Sequence, residues 1–458
     1  MTSQSLTPSP PRHTIAAIAT APGRGGIGVV RVSGFELMAL THALIGKSLK
    51  PRVATLATFL DTDRETIDQG VAIYFPAPHS YTGEDVLELQ GHGGPVVMQS
   101  LLRRCFEVGC KIARPGEFTE RAFLNSKIDL AQAEGVADII EATSAAAAKS
   151  AARTLTGEFS ANVHALTRAL TDLRMHVEAC IDFPEEEIDP ADHRALQSKL
   201  KEIRGLQAAL ARRSKLGAIL RDGVTVVLIG APNVGKSSLL NCLAGDEVAI
   251  VTPIAGTTRD HVRATILLEG VPIHLIDTAG IRVTDDEVEK IGIARTWSAI
   301  EHAGAALLIT EAGYATAANE LEILGRLPND LMVAVVHNKI DLLGSQYVSR
   351  ETRVMESSAR SLQVSAVTGE GIDALRRWLL EVAGWLPSAE GVFLARERHL
   401  LALDEAAAHT SKAAALGEQL ELFAEELRLA QLALSSITGE FTPDDLLGEI
   451  FGRFCVGK

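Results

Sequence analysis

The stretch Val224–Leu240, VTVVLIGAPNVGKSSLL, decides the fold of the middle of the chain. Its first six residues, Val224 to Ile229, form a continuous β-branched and apolar run. That is the composition of a strand buried on both faces of a parallel sheet. Gly230 to Ser237 follow as G-x-x-x-x-G-K-S, and Ser238 to Ala244 reads as an amphipathic helix. Strand, glycine turn and helix in this order are the context that a phosphate-binding loop needs. The glycines let backbone N–H groups turn inward around phosphate oxygens, where a Cβ would obstruct them. The helix presents its positive N-terminal end to the same charge. Lys236 is expected to reach the β- and γ-phosphates of a nucleoside triphosphate, and the Ser237 hydroxyl to bind Mg²⁺.

Further along, the apolar run Met332–His337 ends in Asn338, Lys339, Ile340 and Asp341. This N-K-x-D segment resembles the guanine-specificity motif of Ras-like GTPases. An aspartate there accepts hydrogen bonds from the guanine N1–H and exocyclic amine, an arrangement that adenine lacks. Lys339 is expected over the base and the glycine turn. Leu362–Val364 is expected to deliver Ser365, Ala366 and Val367, similar to the S-A-x loop of the same GTPases, whose backbone N–H contacts the guanine oxygen. Ile273–Ile276 leads into Asp277, Thr278, Ala279 and Gly280, a D-x-x-G that brings a carboxylate near Mg²⁺ and a glycine N–H near the γ-phosphate. Before it lies Gly256, Thr257, Thr258, Arg259 and Asp260, with Thr258 the candidate second Mg²⁺ hydroxyl. Loops that gain or lose such contacts order and collapse with hydrolysis. Ile281 and Arg282 follow the D-x-x-G, where Ras-type enzymes place a water-orienting glutamine. An apolar side chain cannot do that work. The carboxylates of Asp285–Ile291 (DDEVEKI) could, although a solvated acidic helix start has the same composition.

At 458 residues the chain is too long for one core, so two or three domains are expected. Apolar residues at 47% and charged residues at 22% fit a globular protein rather than a disordered one. Only 4% are aromatic, so the cores must be aliphatic. No apolar run approaches the roughly 20 residues that span a bilayer. Residues 1–13 are polar and proline-rich, which reads as a disordered lead-in and not a secretory signal. Cys105, Cys110, Cys180, Cys242 and Cys455 are scattered and odd in number, which fits a reducing compartment and no disulfide or zinc framework. A formal net charge of −14 argues against nucleic-acid binding over the whole surface; such a partner would need a local basic patch or a second protein.

Residues 14–126 mix short apolar runs with glycine turns, as at Gly23–Val32, Gly70–Phe75 and Val86–Gly94, and read as α+β. Residues 127–222 carry helical periodicity, broken at Asp182–Pro190 by an acidic loop. Residues 223–384 alternate apolar runs with helical stretches, the sign of a doubly wound parallel sheet. Residues 385–458 turn helical again from Leu394 to Ile437, then pass through Thr438–Pro443 into a short terminal helix. The fold class expected is multidomain α/β plus all-α, with the α/β unit inserted between two halves of one helical domain.

Several segments then resemble one family in order: Pro22–Gly34 (PGRGGIGVVRVSG), Tyr81–Pro95 (YTGEDVLELQGHGGP), Arg114–Glu134 (RPGEFTERAFLNSKIDLAQAE), Gly256–Asp260 and Phe454–Lys458 (FCVGK). They are similar to the MnmE (TrmE) family of tRNA modification GTPases over nearly everything after residue 13. The resemblance implies an N-terminal folate-binding-like domain that also makes a homodimer, a discontinuous helical domain and an inserted Ras-like G domain. It implies a tetrahydrofolate donor, as the 5-formyl or 5,10-methylene derivative, contacted by Arg31, Glu88, Lys127 and Lys458. A pteridine resembles guanine and suits a carboxylate partner, while its glutamate tail suits a cation. The implied GTP site comprises Asn233, Val234, Gly235, Lys236, Ser237 and Ser238, then Thr252, Pro253, Ile254, Ala255, Gly256, Thr257 and Thr258, together with the later motifs above. A K⁺ ion held by the Asn233 side chain, the Thr252 and Ile254 carbonyls and Thr257 is implied in place of an arginine finger. Glu289 matches the family's water-orienting glutamate. Cys455 lies in the terminal C-x-G-K near the modification centre, its role open.

The implied activity is K⁺-dependent GTP hydrolysis. It would be coupled, in a heterotetramer with an FAD-dependent MnmG-type protein, to adding an aminomethyl or carboxymethylaminomethyl group at C5 of the wobble uridine of tRNA, in the cytoplasm and away from membranes. A GTP-dependent binding switch, such as a ribosome-assembly factor, is the alternative; the N-terminal signatures and the terminal C-x-G-K speak against it.

Overall fold

The computed structural model describes residues 13–182, 190–244, 263–277, 303–313, 324–328, 331–343, 360–385, 391–416, 419–440 and 444–452, with the single residues 297, 300, 454 and 457. It divides into two compact units. One comprises Met1–Ala137, Thr154–Arg204 and Glu405–Lys458; the other comprises Asp138–Arg153 and Gly205–Asp404.

The first unit opens with strands β1 (Ile15–Ile18) and β2 (Gly25–Gly34), helix α1 (Met38–Ile45), strands β3 (Thr55–Leu60), β4 (Thr66–Phe75) and β5 (Asp85–Gly93), helix α2 (Pro95–Glu107), the short β6 (Lys111–Ile112) and helix α3 (Glu117–Leu124). The sheet order is β3-β4-β5-β2-β1-β6, antiparallel except where β6 joins β1. Side chains alternate across a pleated strand. Val30 and Val32 of β2 and Leu87 and Leu89 of β5 therefore share one face, and they bury with Leu44 of α1 and Met98 and Leu101 of α2. Each such side chain contributes roughly 1.5–3 kcal/mol when removed from water. Arg31 and Glu88, directly opposite one another in the β2–β5 register, are left on the other face.

Four helices follow: α4 (Leu130–Glu141), α5 (Ala145–Leu155), α6 (Glu158–Asp182) and α7 (Pro190–Asp222). Next come β7 (Val224–Ile229), α8 (Lys236–Ala244), β8 (Arg263–Leu268), β9 (Val271–Asp277), β10 (Ala305–Glu311), β11 (Met332–Asn338), β12 (Arg360–Gln363) and α9 (Ile372–Val382). The chain closes with α10 (Glu397–Ala415), α11 (Leu420–Thr438) and α12 (Asp444–Gly452). The expected helical run from Leu394 to Ile437 is thus two helices, and it starts three residues later, after Val392–Ala395, which are buried outside any helix. Gly417 falls between them in the sequence, a poor residue for a helix interior.

Within the first unit α6 pairs with α11. Phe159, Val163, Leu166, Leu170, Leu173 and Val177 are buried on α6, and Phe423, Leu427, Ala430, Leu434 and Ile437 on α11. Both sets recur at alternating four- and three-residue steps, the 3.5-residue repeat of a coiled-coil seam.

In the second unit the strand order is β12-β11-β10-β7-β9-β8. All pairs are parallel except β8 with β9. The doubly wound parallel sheet expected from the sequence is present, with one antiparallel pair at this edge. Glu269 and Gly270, both at positive φ (51° and 86°), join β8 to β9 by a two-residue hairpin turn, which only antiparallel strands permit. Apolar residues of the central strands, among them Val226, Leu228, Leu307 and Val336, form the main core with Leu239 of α8 and Leu375 and Leu379 of α9. Residues Asp138–Arg153 and Gly205–Asp222, which are helical, also belong to this unit. At Gly217 a Cβ would stand 1.6 Å from the Phe393 carbonyl oxygen, so only glycine lets α7 lie against that strand-like segment. The Ser150 hydroxyl donates to the Val392 carbonyl at 2.9 Å on its other side.

Candidate functional site

The glycine turn leaves the central strand β7, with Gly230, Asn233 and Gly235 at φ of 157°, 66° and 95°. The helix α8 then begins at Lys236, two residues before the expected Ser238, so Ser237 lies in its first turn. Lys236 Nζ donates to the carbonyls of Gly230 at 2.8 Å and Ala231 at 3.2 Å. The ammonium is held over the turn, where phosphate oxygens would meet it. Asn338 ties this turn to the loop that follows β12. Its Nδ2 donates to the Val234 carbonyl at 2.9 Å, and its Oδ1 accepts from the Ala366 N–H at 3.1 Å. It is 1% exposed, so both bonds are shielded from water. Gly235 has to be glycine here, since a Cβ would come within 2.3 Å of that same Nδ2.

Lys339, at φ 68°, pairs with Glu311 at 2.7 Å; β10 and β11 set Glu311 beside Asn338. The Ser365 hydroxyl donates to Asp341 Oδ1 at 2.5 Å and accepts from the Thr368 N–H at 3.1 Å. Asp341 itself is exposed, and Val367 is 83% exposed. Ile340 forms the short turn between Lys339 and Asp341. Asp277 ends β9 opposite Leu228 of β7, at the end of the sheet from which the glycine turn leaves.

The second cluster lies on the opposite face of the N-terminal sheet, where Ile15 and Ala17 bury against Phe118 of α3. Arg31 donates from Nε (3.1 Å) and Nη2 (2.9 Å) to Glu88 Oε1. Its guanidinium stands 5.5 Å from the Tyr81 ring centre and 5.8 Å from that of Phe118. Tyr81 bonds Thr119 of α3 at 2.8 Å. Burial pushes the Tyr81 phenol above its ordinary value, with the Thr119 bond and Arg31 pulling the other way. Lys127 is exposed, and its stem packs over Gly83, two residues past Tyr81. Behind the cluster lies a buried network. Arg121 and Glu84, both 0% exposed, pair at 2.9 Å, and Arg121 also reaches Glu117 at 2.9 Å. Ser33 donates to Glu84 at 2.8 Å. The C-terminal tail reaches the same sheet. Phe454 is buried with Leu130, Ile450 and Phe451, and a Cβ on Gly457 would stand 2.3 Å from the Ile18 carbonyl. Ile18 faces Val30, the neighbour of Arg31.

A family model of the MnmE helical domain matches residues 130–455, and one of the TrmE N-terminus matches residues 14–127. Relatives named tRNA modification GTPase MnmE match end to end. That of Thiobacillus denitrificans is 56% identical over 98% of this chain and 99% of its own, and that of Azoarcus sp. 58% identical over 99% and 100%. The chain belongs to the MnmE family of tRNA modification GTPases. Among solved structures, the G domain of the T. maritima FeoB iron transporter is 28% identical, covering 35% of this chain and 98% of its own at a TM-score of 0.27. The phosphate-binding-loop architecture of this MnmE-family chain therefore stands on its own sheet order and on the turn after β7.

For this MnmE-family protein, several expected site residues lie outside the described residues: Thr252, Pro253, Ile254, Ala255, Gly256, Thr257, Thr258, Thr278, Ala279, Gly280, Glu289, Cys455 and Lys458. The lead-in up to residue 12 and most of the acidic loop, 183–189, lie outside them too. Among those described, Asn233, Val234, Gly235, Lys236, Ser237, Asn338, Asp341 and Ser365–Val367 converge on one end of the parallel sheet. Arg31 and Glu88 meet each other, and Lys127 joins the loop that carries Tyr81. Sequence reasoning passed over Glu311, the partner of Lys339, and the Arg121–Glu84–Glu117 network. Neither has a local motif; each is made by pairing distant segments. Among the described residues no helix is long and apolar enough to cross a membrane.

Proposed function

We propose that this chain hydrolyses GTP with K⁺ and Mg²⁺ and couples that turnover to modification at C5 of the tRNA wobble uridine. The observation that most supports it is the Asn338 bridge, which joins the phosphate-binding turn to the loop beside Asp341. A guanine base held by Asp341 and Ala366 would then extend its phosphates toward Lys236 and Ser237. Mg²⁺ supplies charge neutralisation at the phosphates, with Ser237 and Thr258 as its hydroxyl ligands. K⁺ supplies what an arginine finger supplies elsewhere, with Asn233, Thr252, Ile254 and Thr257 offering hard oxygen donors. Asn233 is exposed at positive φ, which leaves its amide at the rim of the turn. Glu289 orients the attacking water.

In the same reading Arg31, Glu88, Lys127 and Lys458 hold a tetrahydrofolate one-carbon donor. The half-buried Arg31–Glu88 pair between Tyr81 and Phe118 suits a flat heterocycle with a polar edge. In sequence Cys455 falls between Phe454, buried among Leu130, Ile450 and Phe451, and Gly457, which lies against Ile18 of the N-terminal sheet; that placement of its neighbours supports a role beside the donor. The N-terminal domain (14–126) forms the homodimer, the helical domain is residues 127–222 with 385–458, and the G domain is 223–384. An FAD-dependent MnmG-type protein completes a heterotetramer in the cytoplasm. The deciding experiment is nucleoside analysis of tRNA from a deletion strain, which should lose the C5 modification; an unchanged wobble uridine overturns the reading. Replacing K⁺ by Na⁺ should strongly slow GTP turnover, and equal rates would remove the cation from the mechanism.

A further inference from the structure

Lys339 and Asp341 stand two positions apart in the loop that follows β11 and carry opposite charges. Opposite charges this close attract, and an ammonium seated on Asp341 would occupy the carboxylate that a guanine has to reach. The structure gives each of them a different partner. Lys339 Nζ donates to Glu311 Oε2 at 2.7 Å, and Asp341 Oδ1 accepts from the Ser365 hydroxyl at 2.5 Å. Glu311 ends β10 and Ser365 follows β12, the two strands that flank β11, so the two charges of the loop are drawn toward opposite neighbours.

Glu311 is held in place by the sheet. It lies opposite Asn338 in the β10–β11 register, and the next residue, Ala312, donates its N–H to the Asn338 carbonyl at 2.8 Å. Gly313 follows at φ 88°, and a Cβ there would stand 2.7 Å from the Leu343 side chain, so the exit of β10 runs close to the turn that carries Asp341. On the other side of the ion pair, Lys339 has a φ of 68°, a conformation that residues with a side chain rarely adopt. It is kept there by the bonds that follow it, from the Ile340 N–H to the Val364 carbonyl at 3.3 Å and from the Leu342 N–H back to Lys339 at 3.1 Å. The Lys339 stem is therefore fixed at both ends, by its backbone and by its ammonium.

We propose that Glu311 is a positioning residue for the guanine nucleotide, a role that rests on the assignment of Asp341 to the base above. It holds the Lys339 ammonium off Asp341, which leaves that carboxylate open to the two guanine donors, and it sets the lysine stem as an apolar ledge for the base. Glu311 acts through Lys339 and does not itself touch the nucleotide. The pair is partly exposed, at 29% for Lys339 and 34% for Glu311, so water screens it and the effect on affinity is several-fold rather than total. A plain surface ion pair would add to stability alone and leave nucleotide affinity where it was.

The test uses the full chain with GDP carrying an N-methylanthraniloyl fluorophore, its dissociation followed by stopped flow and its affinity by titration. Glu311→Gln, which keeps the shape and removes the charge, should weaken binding by about three- to tenfold and speed dissociation. Glu311→Asp, which keeps the charge on a shorter arm, should recover part of the loss. Lys339→Ala should weaken binding by itself, and adding Glu311→Gln to it should change nothing further, because the two residues act as one unit. Wild-type affinity in Glu311→Gln, or tighter binding, overturns the proposal. So does an equal loss on adding Glu311→Gln to Lys339→Ala, since Glu311 would then act independently of the lysine. A weaker affinity that only tracks a lowered melting temperature of the nucleotide-free protein makes the pair structural and refutes the role as well. If the wild-type chain fails to prefer guanine over adenine nucleotides, the reading of Asp341 falls and Glu311 with it; a guanine-selective wild type with unaffected Glu311 variants overturns Glu311 alone.

Discussion

The two sheets of this protein hold their candidate sites in opposite ways. In the second unit the strands β7, β10 and β11 run parallel, so their carboxyl ends lie along one edge and each hands its following loop to the same place. Among the described residues, those of that candidate site lie in the turns and helix starts that follow β7, β11 and β12. In the antiparallel N-terminal sheet the site is mid-strand and on a face, where Arg31 meets Glu88 across a register 57 residues apart in sequence. A loop site is written as contiguous motifs. A face site is written as single residues whose meaning depends on pairing.

The contrast can be broken by substitution, and the largest effect is expected in the parallel sheet. Asp341→Asn removes the acceptor for two guanine donors. GTP affinity should fall by roughly 10²–10⁴-fold, with xanthosine triphosphate gaining in its place, read by calorimetry. Retained GTP preference would mean that Asp341 does not read the base. Next is the buried network of the antiparallel sheet. Arg121→Met leaves the buried Glu84 without its cation and Glu117 with Arg114 alone, and should cost about 3–5 kcal/mol, seen as an earlier thermal transition while GTP affinity is kept. A coupled loss of GTP affinity would show that the two sheets are not separable.

A smaller effect is expected at the face site. Arg31→Ala should weaken binding of 5-formyl-tetrahydrofolate by about 10–100-fold through one lost charged contact, with GTP turnover unchanged. Undiminished folate binding would leave the Arg31–Glu88 pair a structural one. The smallest is a pH dependence. Burial opposes the Glu117 charge, but the Arg114 N–H and Arg121 outweigh it and hold the carboxyl below its ordinary 4.5. Its contribution to stability is therefore present above pH 4.5 and is lost as pH falls through the lower folded value. Thermal melts from pH 6 down to about pH 3 should show it, and Glu117→Gln should flatten that slope.

What was legible follows the same division. The strand Val224–Ile229 has the bounds read from its composition, because a strand buried on both faces is apolar throughout. The reversal of β8 was not legible, since Glu269-Gly270 is a hairpin signal only when strands are known to flank it. Arg31 and Glu88 stood out by family resemblance alone, as nothing in either segment announces the other. Arg121 was hidden for a plainer reason: an arginine in a short helix is ordinarily solvated, and only its complete burial reveals its partners.

The seam between α6 and α11 has a consequence for synthesis. Roughly 240 residues separate Asp182 from Leu420, and the whole nucleotide-binding sheet lies between them. At about 5–20 residues per second, the leucine stripe of α6 leaves the ribosome some ten to fifty seconds before its mate exists. During that interval the nascent chain carries the apolar stripe of α6 without the helix that covers it. The coil can zip only after the intervening sheet has been translated, so the last quarter of the chain seals a structure that the second quarter began.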